Sequence, residues 1–395
     1  MNDLKLDLEL EQSGTASLDT SDSHSDSIVK RLEQVDWSFA QRSKPLAIEA
    51  IHPYPAKFIG DIPRALIKSL PIPAGTAVLD PFCGSGTTLV EAQRARLSSV
   101  GIDLNPIACL IARVKTSPLP EGFAEVVQEI TSRARNIKAL PTSSIPNVDH
   151  WFKPAIQLAV GALAQIIADP AYLAWLDQLR LALSSILVRV SNQDSDTRYA
   201  AVEKGVGRND VFDAFCNASS KLRRSLLDRH WTLPLAHVLE ANTLEVSHSE
   251  VAINIGLVVT SPPYPNAYEY WLYHKYRMWW LGFDPIAVKE KEIGARAHFF
   301  KKNHHTAEMF VDQMKGTFEL IDKVLVKNGF VCFVVGRSKI HGKIINNGDT
   351  IYQVATDVGL KPFSRFEREI SATRKSFNLS HANIKTETIL VFQKT

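Results

Sequence analysis

The chain has 395 residues, of which 45% are hydrophobic and 22% are charged, and its formal net charge is +3. This composition is typical of a globular protein and is too weakly basic to indicate nucleic-acid binding, although it allows a local basic face. We find no apolar run that approaches the length of a bilayer span and no apolar signal segment, so we expect a cytoplasmic protein.

The cysteines give no indication of a structural site. Cys83, Cys109, Cys216 and Cys332 are scattered along the chain without CxxC spacing. This pattern predicts neither a disulfide framework nor a zinc site, and it fits a reducing compartment. His304-His305 has no partner residues at metal-ligand spacing, so no metal is assigned.

The predicted elements begin after a polar N-terminus. Residues 1–45 are predicted to form a disordered acidic tail, because residues 1–28 are rich in Ser, Thr, Asp and Glu. From residue 76 the pattern becomes strand (77–79), glycine turn, helix (87–95) and strand (99–102). This βαβ unit is typical of a doubly wound parallel sheet.

The pattern of the sheet is interrupted and then resumes. Residues 117–235 have helical periodicity and no convincing strand, which predicts a helical insertion. Further strands are predicted at 236–239, 253–259, 330–335, 361–370 and 386–392, with helices over 310–326 and 349–358. We therefore expect an α/β catalytic domain formed by 46–116 and 236–395. The insertion is a candidate target-recognition region, because the sheet does not require it.

The first strand is followed by a glycine loop, residues 80–88 (DPFCGSGTT). Its glycines allow a sharp turn that brings a ligand to a helix N-terminus. The loop lacks the Gly-Lys-Ser/Thr of a triphosphate site and the third glycine of a dinucleotide site. Asp103 ends the next strand at the spacing of a ribose-binding carboxylate, or it is an ordinary helix cap before Pro106. With Asp80 placed to meet an ammonium group, the loop predicts S-adenosylmethionine.

A second motif, Thr260-Ser261-Pro262-Pro263-Tyr264, follows the strand predicted at 253–259. Consecutive prolines fix φ and donate no N–H groups, so the backbone is stiff and its carbonyls point outward. A Pro-Pro pair after a strand is usually only a loop that ends the strand. A serine hydroxyl and a bare carbonyl can nevertheless accept hydrogen bonds from an amino group, and a tyrosine ring can stack on a nucleobase. Amino methylation requires such a surface.

These motifs resemble those of the amino-methylating DNA methyltransferases, the family that makes N4-methylcytosine or N6-methyladenine. DPFCGSGTT resembles the family's cofactor loop, TSPPY its catalytic tetrad, and residues 51–58 (IHPYPAKF) the extra motif that packs beside the loop. The resemblance covers about residues 46–116 and 236–395. It implies a Rossmann-like methyltransferase sheet.

The resemblance also implies roles for individual residues around the cofactor. The methionine end of S-adenosylmethionine would be lined by Phe58, Asp80, Phe82, Gly84, Gly86 and Thr87. Asp103 would bind the ribose, and Leu104 would pack against the adenine. Asn242 stands in HVLEAN where the family commonly has an acidic residue near the adenine amine, which is a departure from the pattern.

The tetrad would act on the target base. The resemblance implies that Ser261 and the carbonyl of Pro262, stiffened by Pro263, orient the amine while Tyr264 stacks on the flipped base. Carbon-5 methylation would require a nucleophilic cysteine, but Cys83 lies inside the cofactor loop and is interpreted as an apolar filler. In the resembled family, serine at the first tetrad position occurs more often with cytosine, so N4 of cytosine is favoured over N6 of adenine.

The resemblance implies duplex DNA as the substrate, with a cognate restriction endonuclease as a candidate partner or the enzyme as an orphan. An RNA amino-methyltransferase and a non-catalytic specificity subunit remain alternatives. Charge runs are usually solvated faces, and the runs that are candidate phosphate contacts contain Lys221, Arg223, Arg224, Arg229, Lys289, Lys291, Arg296, Lys301, Lys302, Arg337, Lys339, His341 and Lys343. The aromatic stretch 268–280 is interpreted either as a base-stacking surface or as a core helix.

Overall fold

The computed structural model describes residues 20–41, 44–55, 58–196, 198, 200–265, 269–299, 305–340, 343–370 and 386–395. The helices within these residues are α1 (Thr20–Glu33), α2 (Asp61–Ser69), α3 (Thr87–Arg94), α4 (Pro106–Thr116), α5 (Phe123–Asn136), α6 (Val148–Trp151), α7 (Pro154–Ile167), α8 (Leu176–Val190), α9 (Arg208–Leu227), α10 (His248–Val251), α11 (Tyr270–Trp280), α12 (Pro285–Lys291), α13 (Arg296–Phe299), α14 (Ala307–Val324) and α15 (Asn347–Asp357). The strands are β1 (Ala77–Asp80), β2 (Ser99–Asp103), β3 (Ala236–Glu240), β4 (Ile255–Thr260), β5 (Leu325–Ile340), β6 (Lys343–Asn346), β7 (Lys361–Glu369) and β8 (Thr386–Gln393).

The strands form a single mixed sheet in the order β3-β2-β1-β4-β5-β8-β7, and β6 pairs with β5 outside this order. Strands β1 to β5 pair in parallel, whereas β8 runs antiparallel to both of its neighbours. β2 and β3 lie on one side of β1, and β4 and β5 lie on the other. The direction in which the chain adds strands to the sheet therefore reverses at β1. In doubly wound sheets, ligands bind at the carboxyl ends of the strands at this reversal.

The central strands are buried on both faces, as expected for parallel strands covered by helices. Successive residues of β4 alternate between two apolar clusters: Leu257 and Val259 face the side of α1 and α2, and Val258 faces α14 and α15. This alternation follows from the period of two of a strand. The predicted α/β doubly wound architecture is confirmed.

The strand that follows β4 in the sheet is longer than expected. The sequence predicts a turn at Asn328-Gly329 before a strand over 330–335, but β5 runs from Leu325 to Ile340. Asn328 has a φ of 63°, and the pairing with β4 is irregular between Ile255 and Leu257. The turn is therefore a local irregularity within one strand. The sequence did not predict residues 336–340 of β5 or their partner strand β6.

The prediction of a disordered tail over residues 1–45 is wrong for the part that forms α1. Ile28 and Leu32 of this helix are 2% and 0% exposed, and they pack in the cluster that contains Leu66 of α2. Trp37 then stacks on Phe366 of β7 at 5.4 Å. A pair of apolar residues one helical turn apart suffices to dock a helix whose average composition is polar. Residues 1–19 lie outside the described residues.

The helical insertion shares its core with the sheet domain. Helices α5 to α9 account for most of residues 117–235, as predicted. One apolar cluster contains Leu110 of α4, Phe123 of α5, Leu183 of α8, Phe212 of α9 and Trp280 of α11. Because α4 and α11 flank the two motifs in sequence, the insertion supports the helices that adjoin the site.

One part of the insertion is apolar enough to cross a membrane by length and composition. The stretch Pro170–Val190 has 21 residues, and its most apolar 18-residue window has a mean hydropathy of 1.2, contrary to the expectation that no run approaches this length. Of its most apolar window, 56% is buried inside the protein. Leu179, Leu183 and Leu187 belong to the shared apolar cluster, and such packing is also found in core helices.

Candidate active site

The two motifs meet at the ends of neighbouring strands. Asp80 ends β1 and Thr260 ends β4, and these strands pair in parallel. The Thr260 hydroxyl donates to Oδ1 of Asp80 at 2.6 Å, and the backbone N–H of Phe82 donates to the same oxygen at 3.1 Å. The side chains of Asp80 and Thr260 are almost fully buried. One hydrogen bond therefore fixes the glycine loop relative to the residue that precedes Ser261.

Asp103 holds the glycine loop from the adjacent strand. Its Oδ2 accepts the backbone N–H of Gly84 at 2.8 Å, and its Oδ1 accepts that of Asn105 at 2.8 Å. The cap of α4 is Asn105, whose Oδ1 accepts the N–H of Ile107 at 3.0 Å. The helix-cap interpretation of Asp103 is thus replaced by a loop-clamp role. Each carboxylate oxygen keeps a further acceptor position.

Burial shapes the protonation of both carboxyl groups. Desolvation raises the pKa of Asp80 to about 6, against the hydrogen bonds from Thr260 and Thr88. Desolvation likewise raises the pKa of Asp103 to about 6, against the backbone N–H groups of Asn105 and Gly84. Two desolvated carboxylates at one strand edge favour a ligand that brings a positive charge and hydroxyl donors.

The glycines of the loop are required by its geometry. Gly86 precedes α3 with a φ of 76°, and a Cβ there would lie 2.8 Å from the Cβ of Ala112 on α4. Gly84 has a φ of 49° and lies beside the ring of Tyr54, which a Cβ would approach to 3.4 Å. The loop is therefore packed tightly at Gly86 and has more room at Gly84.

Replacing Gly86 by alanine is expected to destabilise the protein by about 2–5 kcal/mol, since left-handed backbone strain adds to an overpacked contact. The matched control is Gly75→Ala, because Gly75 has a φ of 77° and a Cβ there would meet no described atom within 4 Å. The control isolates the strain, about 1–2 kcal/mol. Urea unfolding of both variants measures the difference. Equal losses would contradict the contact with α4.

The segment upstream of the loop packs beside it, as the resemblance implies. Tyr54 stacks on His274 at 5.3 Å and on Tyr270 at 5.8 Å, both in α11. Nε2 of His52 lies 2.9 Å from the hydroxyl of Ser184 in α8. This segment thus connects the glycine loop to α11 and the insertion. Residues 56–57 of the motif lie outside the described residues.

The tetrad is held by a polar group beneath its tyrosine. The Tyr264 hydroxyl lies 3.5 Å from Oε1 of Glu387 on β8, whose Oε2 accepts from Arg368 on β7 at 2.8 Å. Ser261 and the backbone of Gly336 also hydrogen-bond the Tyr264 side chain, and burial raises its pKa. The hydroxyl is therefore contacted from two strands of the sheet, β5 and β8, and from Ser261, which follows β4, and these contacts orient the ring.

The segment after α12 supports the tetrad from the other side. Both carboxylate oxygens of Glu292 accept backbone N–H groups at the start of α11, from Tyr270 at 2.8 Å and Trp271 at 2.9 Å. Burial raises the pKa of Glu292 to about 8. Gly294, with a φ of 74°, leaves no room for a Cβ, which would lie 2.6 Å from the carbonyl oxygen of Tyr264. No local sequence pattern indicates either role.

Two further contacts to the loop were missed. Lys115 is 1% exposed in α4, and its Nζ donates to the carbonyl of Ser85 at 2.8 Å. A lysine within the apolar run of α4 was the available signal. Thr243 is 4% exposed, and its hydroxyl donates to the carbonyl of Pro81. By contrast, Asn242 hydrogen-bonds Glu245 at 3.2 Å, so the polar contact from this segment comes from its neighbour.

The remaining predicted residues are distributed over three cores. Phe82 packs partly against the cluster with α14, and Thr87 is the buried first residue of α3. Phe58 packs against the cluster with α1 and α2, whereas Leu104 packs against the cluster shared with the insertion. The loop residues thus lie together, and the structure places Phe58 and Leu104 on separate sides of them.

The cysteine of the loop is buried. Burial raises the pKa of the Cys83 thiol, and a Cβ on Gly101 would lie 2.9 Å from the Cys83 side chain. These contacts fit the apolar-filler interpretation. Among the described residues, no group of three or more His, Cys, Asp or Glu side chains could hold a metal ion.

The aromatic stretch after the tetrad belongs mainly to the core. Trp271, Tyr276 and Trp280 of α11 are less than 10% exposed and pack in the cluster shared with the insertion. Arg277 is 2% exposed and donates to the carbonyl of Ser184 at 3.1 Å. The core-helix interpretation holds for these rings. Residue 268 lies outside the described residues.

Comparisons with known proteins agree with these motifs. A family model described as DNA methylase (N6_N4_Mtase) matches residues 11–114, which include the glycine loop. The type II methyltransferase M.MjaII from Methanocaldococcus jannaschii is 38% identical over 87 residues, 21% of this chain and 16% of the relative. M.MvaI from Kocuria varians is 24% identical over 55% of this chain, and M.BsoBI from Geobacillus stearothermophilus is 22% identical over 60%.

The matches cover only part of these relatives, 53% of the length of M.MvaI and of M.BsoBI. Among solved structures, a TehB-like SAM-dependent methyltransferase from Corynebacterium glutamicum aligns over 95% of this chain and all of that chain, at 12% identity. Its TM-score of 0.32 is too low to carry an argument. Over the matched residues, the chain is therefore similar to DNA methylases and to type II methyltransferases.

Proposed function

We propose that the protein transfers a methyl group from S-adenosylmethionine to N4 of cytosine in duplex DNA. The observation that carries this proposal is the 2.6 Å hydrogen bond between Thr260 and Asp80. It brings the glycine loop and the tetrad together at the carboxyl ends of adjacent strands, where the strand order reverses. A donor and an amine bound to the two motifs would therefore be neighbours.

The residues around the loop fit S-adenosylmethionine. Asp80 offers a buried carboxylate to the α-ammonium group, and Asp103 retains acceptor positions for ribose hydroxyls. The left-handed glycines, 84 and 86, bring the backbone to the start of α3, whose free N–H groups favour a carboxylate. When bound, this cofactor supplies an electrophilic methyl group.

The tetrad would prepare the base. The hydroxyl oxygen of Ser261 and the carbonyl oxygen of Pro262 accept hydrogen bonds from the exocyclic amine. These bonds direct the nitrogen lone pair towards the loop. Tyr264 stacks on the flipped base, and its ring is held in place through Glu387. Positioning and removal of water supply the rate, so no covalent intermediate on Cys83 is required.

The choice of cytosine depends on Ser261. Its hydroxyl is a small neutral group, and in the resembled family serine at this position accompanies cytosine more often than adenine. M.MvaI and M.BsoBI are named type II methyltransferases, which supports a site-specific enzyme that is paired with an endonuclease of the same specificity.

The proposal is tested with the full chain, duplex DNA of mixed sequence and S-adenosylmethionine that carries a labelled methyl group. We expect label in DNA and, after digestion to nucleosides, N4-methyl-2′-deoxycytidine identified against standards. N6-methyladenine would overturn the choice of base but not the reaction. Label in RNA alone would overturn DNA as the substrate. Cofactor binding without any transfer would favour the non-catalytic alternative.

A further inference from the structure

A buried ion pair lies beneath the tetrad tyrosine. Glu387 of β8 pairs in register with Gly336 of β5 on one side and with Arg368 of β7 on the other. Nη1 of Arg368 donates to Oε2 of Glu387 at 2.8 Å, and the side chains of Arg368 and Glu387 are 6% and 19% exposed. Taking two charges out of water costs free energy that their attraction often does no more than offset. Stability alone therefore does not explain why this pair lies at the tetrad.

The other carboxylate oxygen of Glu387 faces the tetrad. Oε1 lies 3.5 Å from the Tyr264 hydroxyl, which can donate to it. An ionised carboxylate has no hydrogen to give, so a hydrogen bond between the two groups uses the single proton of the phenol. Burial raises the pKa of Glu387, and the positive charge of Arg368 opposes this effect. The arginine therefore favours the ionised form of Glu387, which fixes the direction of the bond.

The backbone of Gly336 makes a second contact to the same hydroxyl. The carbonyl of Gly336 accepts the side-chain amide of Asn347 at 2.7 Å, and Asn347 is completely buried. Burial and the charge of Glu387 raise the pKa of the Tyr264 hydroxyl, whereas the contact with Gly336 lowers it, as a donated N–H does. Gly336 therefore donates to the tyrosine oxygen from a backbone that Asn347 holds in place.

Ser261 makes a third contact to the Tyr264 hydroxyl, and this contact also lowers the pKa of that group. The phenol has one proton, which the carboxylate of Glu387 takes, so the phenol oxygen can only accept from the serine. The serine hydroxyl is therefore the donor in this bond. Its proton is directed at Tyr264, and its lone pairs remain for a ligand.

We propose that Glu387 and Arg368 are positioning residues that make Ser261 an obligate hydrogen-bond acceptor, so that the site takes a base with an amino group and rejects a base with a carbonyl in the same place. This inference rests on the proposed function and adds to it the groups that set base selectivity. An exocyclic amine donates two hydrogens, whereas the carbonyl of uracil would meet two acceptors, Ser261 and the carbonyl of Pro262. Facing acceptors leave buried polar groups unpaired, and a site of this kind discriminates strongly.

A neutral side chain in place of Glu387 would remove this selectivity. Glutamine carries both a donor and an acceptor, so its amide can give a hydrogen to the Tyr264 oxygen. The tyrosine proton can then turn to Ser261, and the proton of Ser261 can face a carbonyl. The direction of the hydrogen bonds from Ser261 to Glu387 is therefore set by the carboxylate and not by the tetrad itself.

The first test measures selectivity in the full chain. The target site is identified by sequencing the methylated DNA, and two duplexes then carry cytosine or uracil at the target position, opposite an abasic position so that neither base is paired. Affinities are measured by fluorescence anisotropy with saturating S-adenosylhomocysteine, the product that lacks the methyl group. The unmodified protein should bind the cytosine duplex at least about 100-fold more tightly. Glu387→Gln should lower this ratio about 10-fold, in proportion to one hydrogen bond.

The matched control is Glu367→Gln. Glu367 is an exposed carboxylate of β7 that accepts from Thr388 at 2.8 Å, and it lies on the opposite face of the strand from its neighbour Arg368. The control should keep the ratio of the unmodified protein. Because Glu387→Gln leaves a buried cation without its partner, Arg368→Met/Glu387→Gln is measured as well. It removes both charges and should lower the ratio equally.

A double-mutant cycle in kcat shows whether Glu387 acts through the tyrosine hydroxyl. Glu387→Gln alone should lower kcat about 10-fold. In a Tyr264→Phe background, the same change should lower kcat less than about twofold, because the hydroxyl that Glu387 directs is already absent. A merely structural role would give equal losses in the two backgrounds.

The outcomes separate this proposal from the proposed function. An unchanged ratio in Glu387→Gln, an equal change in Glu367→Gln, or equal losses of kcat in the cycle would overturn the positioning role. If the methylated base is adenine, the choice of base in the proposed function fails, and the same comparison is made between adenine and hypoxanthine. If the unmodified protein methylates no DNA, the proposed function fails, and the same cycle in urea unfolding still decides whether residues 264 and 387 are coupled. Additive changes there would overturn the chain of hydrogen bonds.

Discussion

Replacing Tyr264 by alanine is expected to lower kcat for methyl transfer by about 100-fold or more, because a misplaced base loses its alignment with the methyl donor. The ring packs partly against the core cluster with α14, and its hydroxyl is held by Glu387, Ser261 and Gly336. Affinity for S-adenosylmethionine should change little, since the loop and its carboxylates remain. The double variant Ser261→Ala/Tyr264→Ala should have no measurable transfer.

Further variants separate the ring from its hydroxyl. Tyr264→Phe keeps the stacking surface and loses the hydroxyl contacts to Glu387, Ser261 and Gly336, so we expect a smaller loss of kcat than for Tyr264→Ala, about 10-fold. The matched control is Tyr352→Ala in α15, which removes a tyrosine that is 38% exposed and packs on Phe392. Its kcat should match that of the unmodified protein. An active Tyr264→Ala variant would show that the tetrad does not hold the base.

Replacing Asp80 by asparagine is expected to stabilise the protein and to impair cofactor binding. Burial raises the pKa of this carboxyl from 3.8 to about 6. The folded state therefore binds the proton more tightly than the unfolded state, and stability falls as pH rises from about 4 to 6. Asparagine does not ionise, and its amide oxygen can still accept from Thr260 and Phe82. We expect a gain of about 1–3 kcal/mol at pH 8 and almost none at pH 4.

Although Asp80→Asn is expected to stabilise the fold, it should weaken the binding of S-adenosylmethionine. Asparagine offers no negative charge to an α-ammonium group, so affinity for S-adenosylmethionine at pH 8 should fall at least about 10-fold. In the unmodified protein, the affinity should decline as pH falls through about 6, where Asp80 becomes protonated. Urea unfolding and calorimetric titration at pH 4 to 8 measure both effects. A variant that is less stable at pH 8 would contradict the desolvation of Asp80.

Much of the sheet could be predicted because its signals are local. The apolar run that forms β4 reflects burial on both faces of the strand, and the glycine turn after β1 reflects a left-handed backbone. Both features can be recognised from neighbouring residues in the sequence. The prediction of a disordered tail was wrong in α1, because composition averages out the two apolar residues that dock it, Ile28 and Leu32.

The supports of the site could not be predicted, because each joins residues that are distant in sequence. Glu292 caps α11, Gly294 lies against the carbonyl of Tyr264, and Lys115 holds the glycine loop from α4. The apolar run of α4 indicates that Lys115 is buried, but no sequence pattern indicates which group its ammonium contacts. Its role depends on which backbone groups the fold leaves beside it.

The sequence by itself determined the two motifs and the order of the strands that carry them, since both depend on short-range backbone chemistry and on apolar periodicity. The tertiary structure decided how the motifs are joined, through Thr260 and Asp80, and how Tyr264 is oriented, through Glu387. It also decided which cations are engaged within the protein, because hydrogen bonds formed only after folding occupy Lys221 and Arg229.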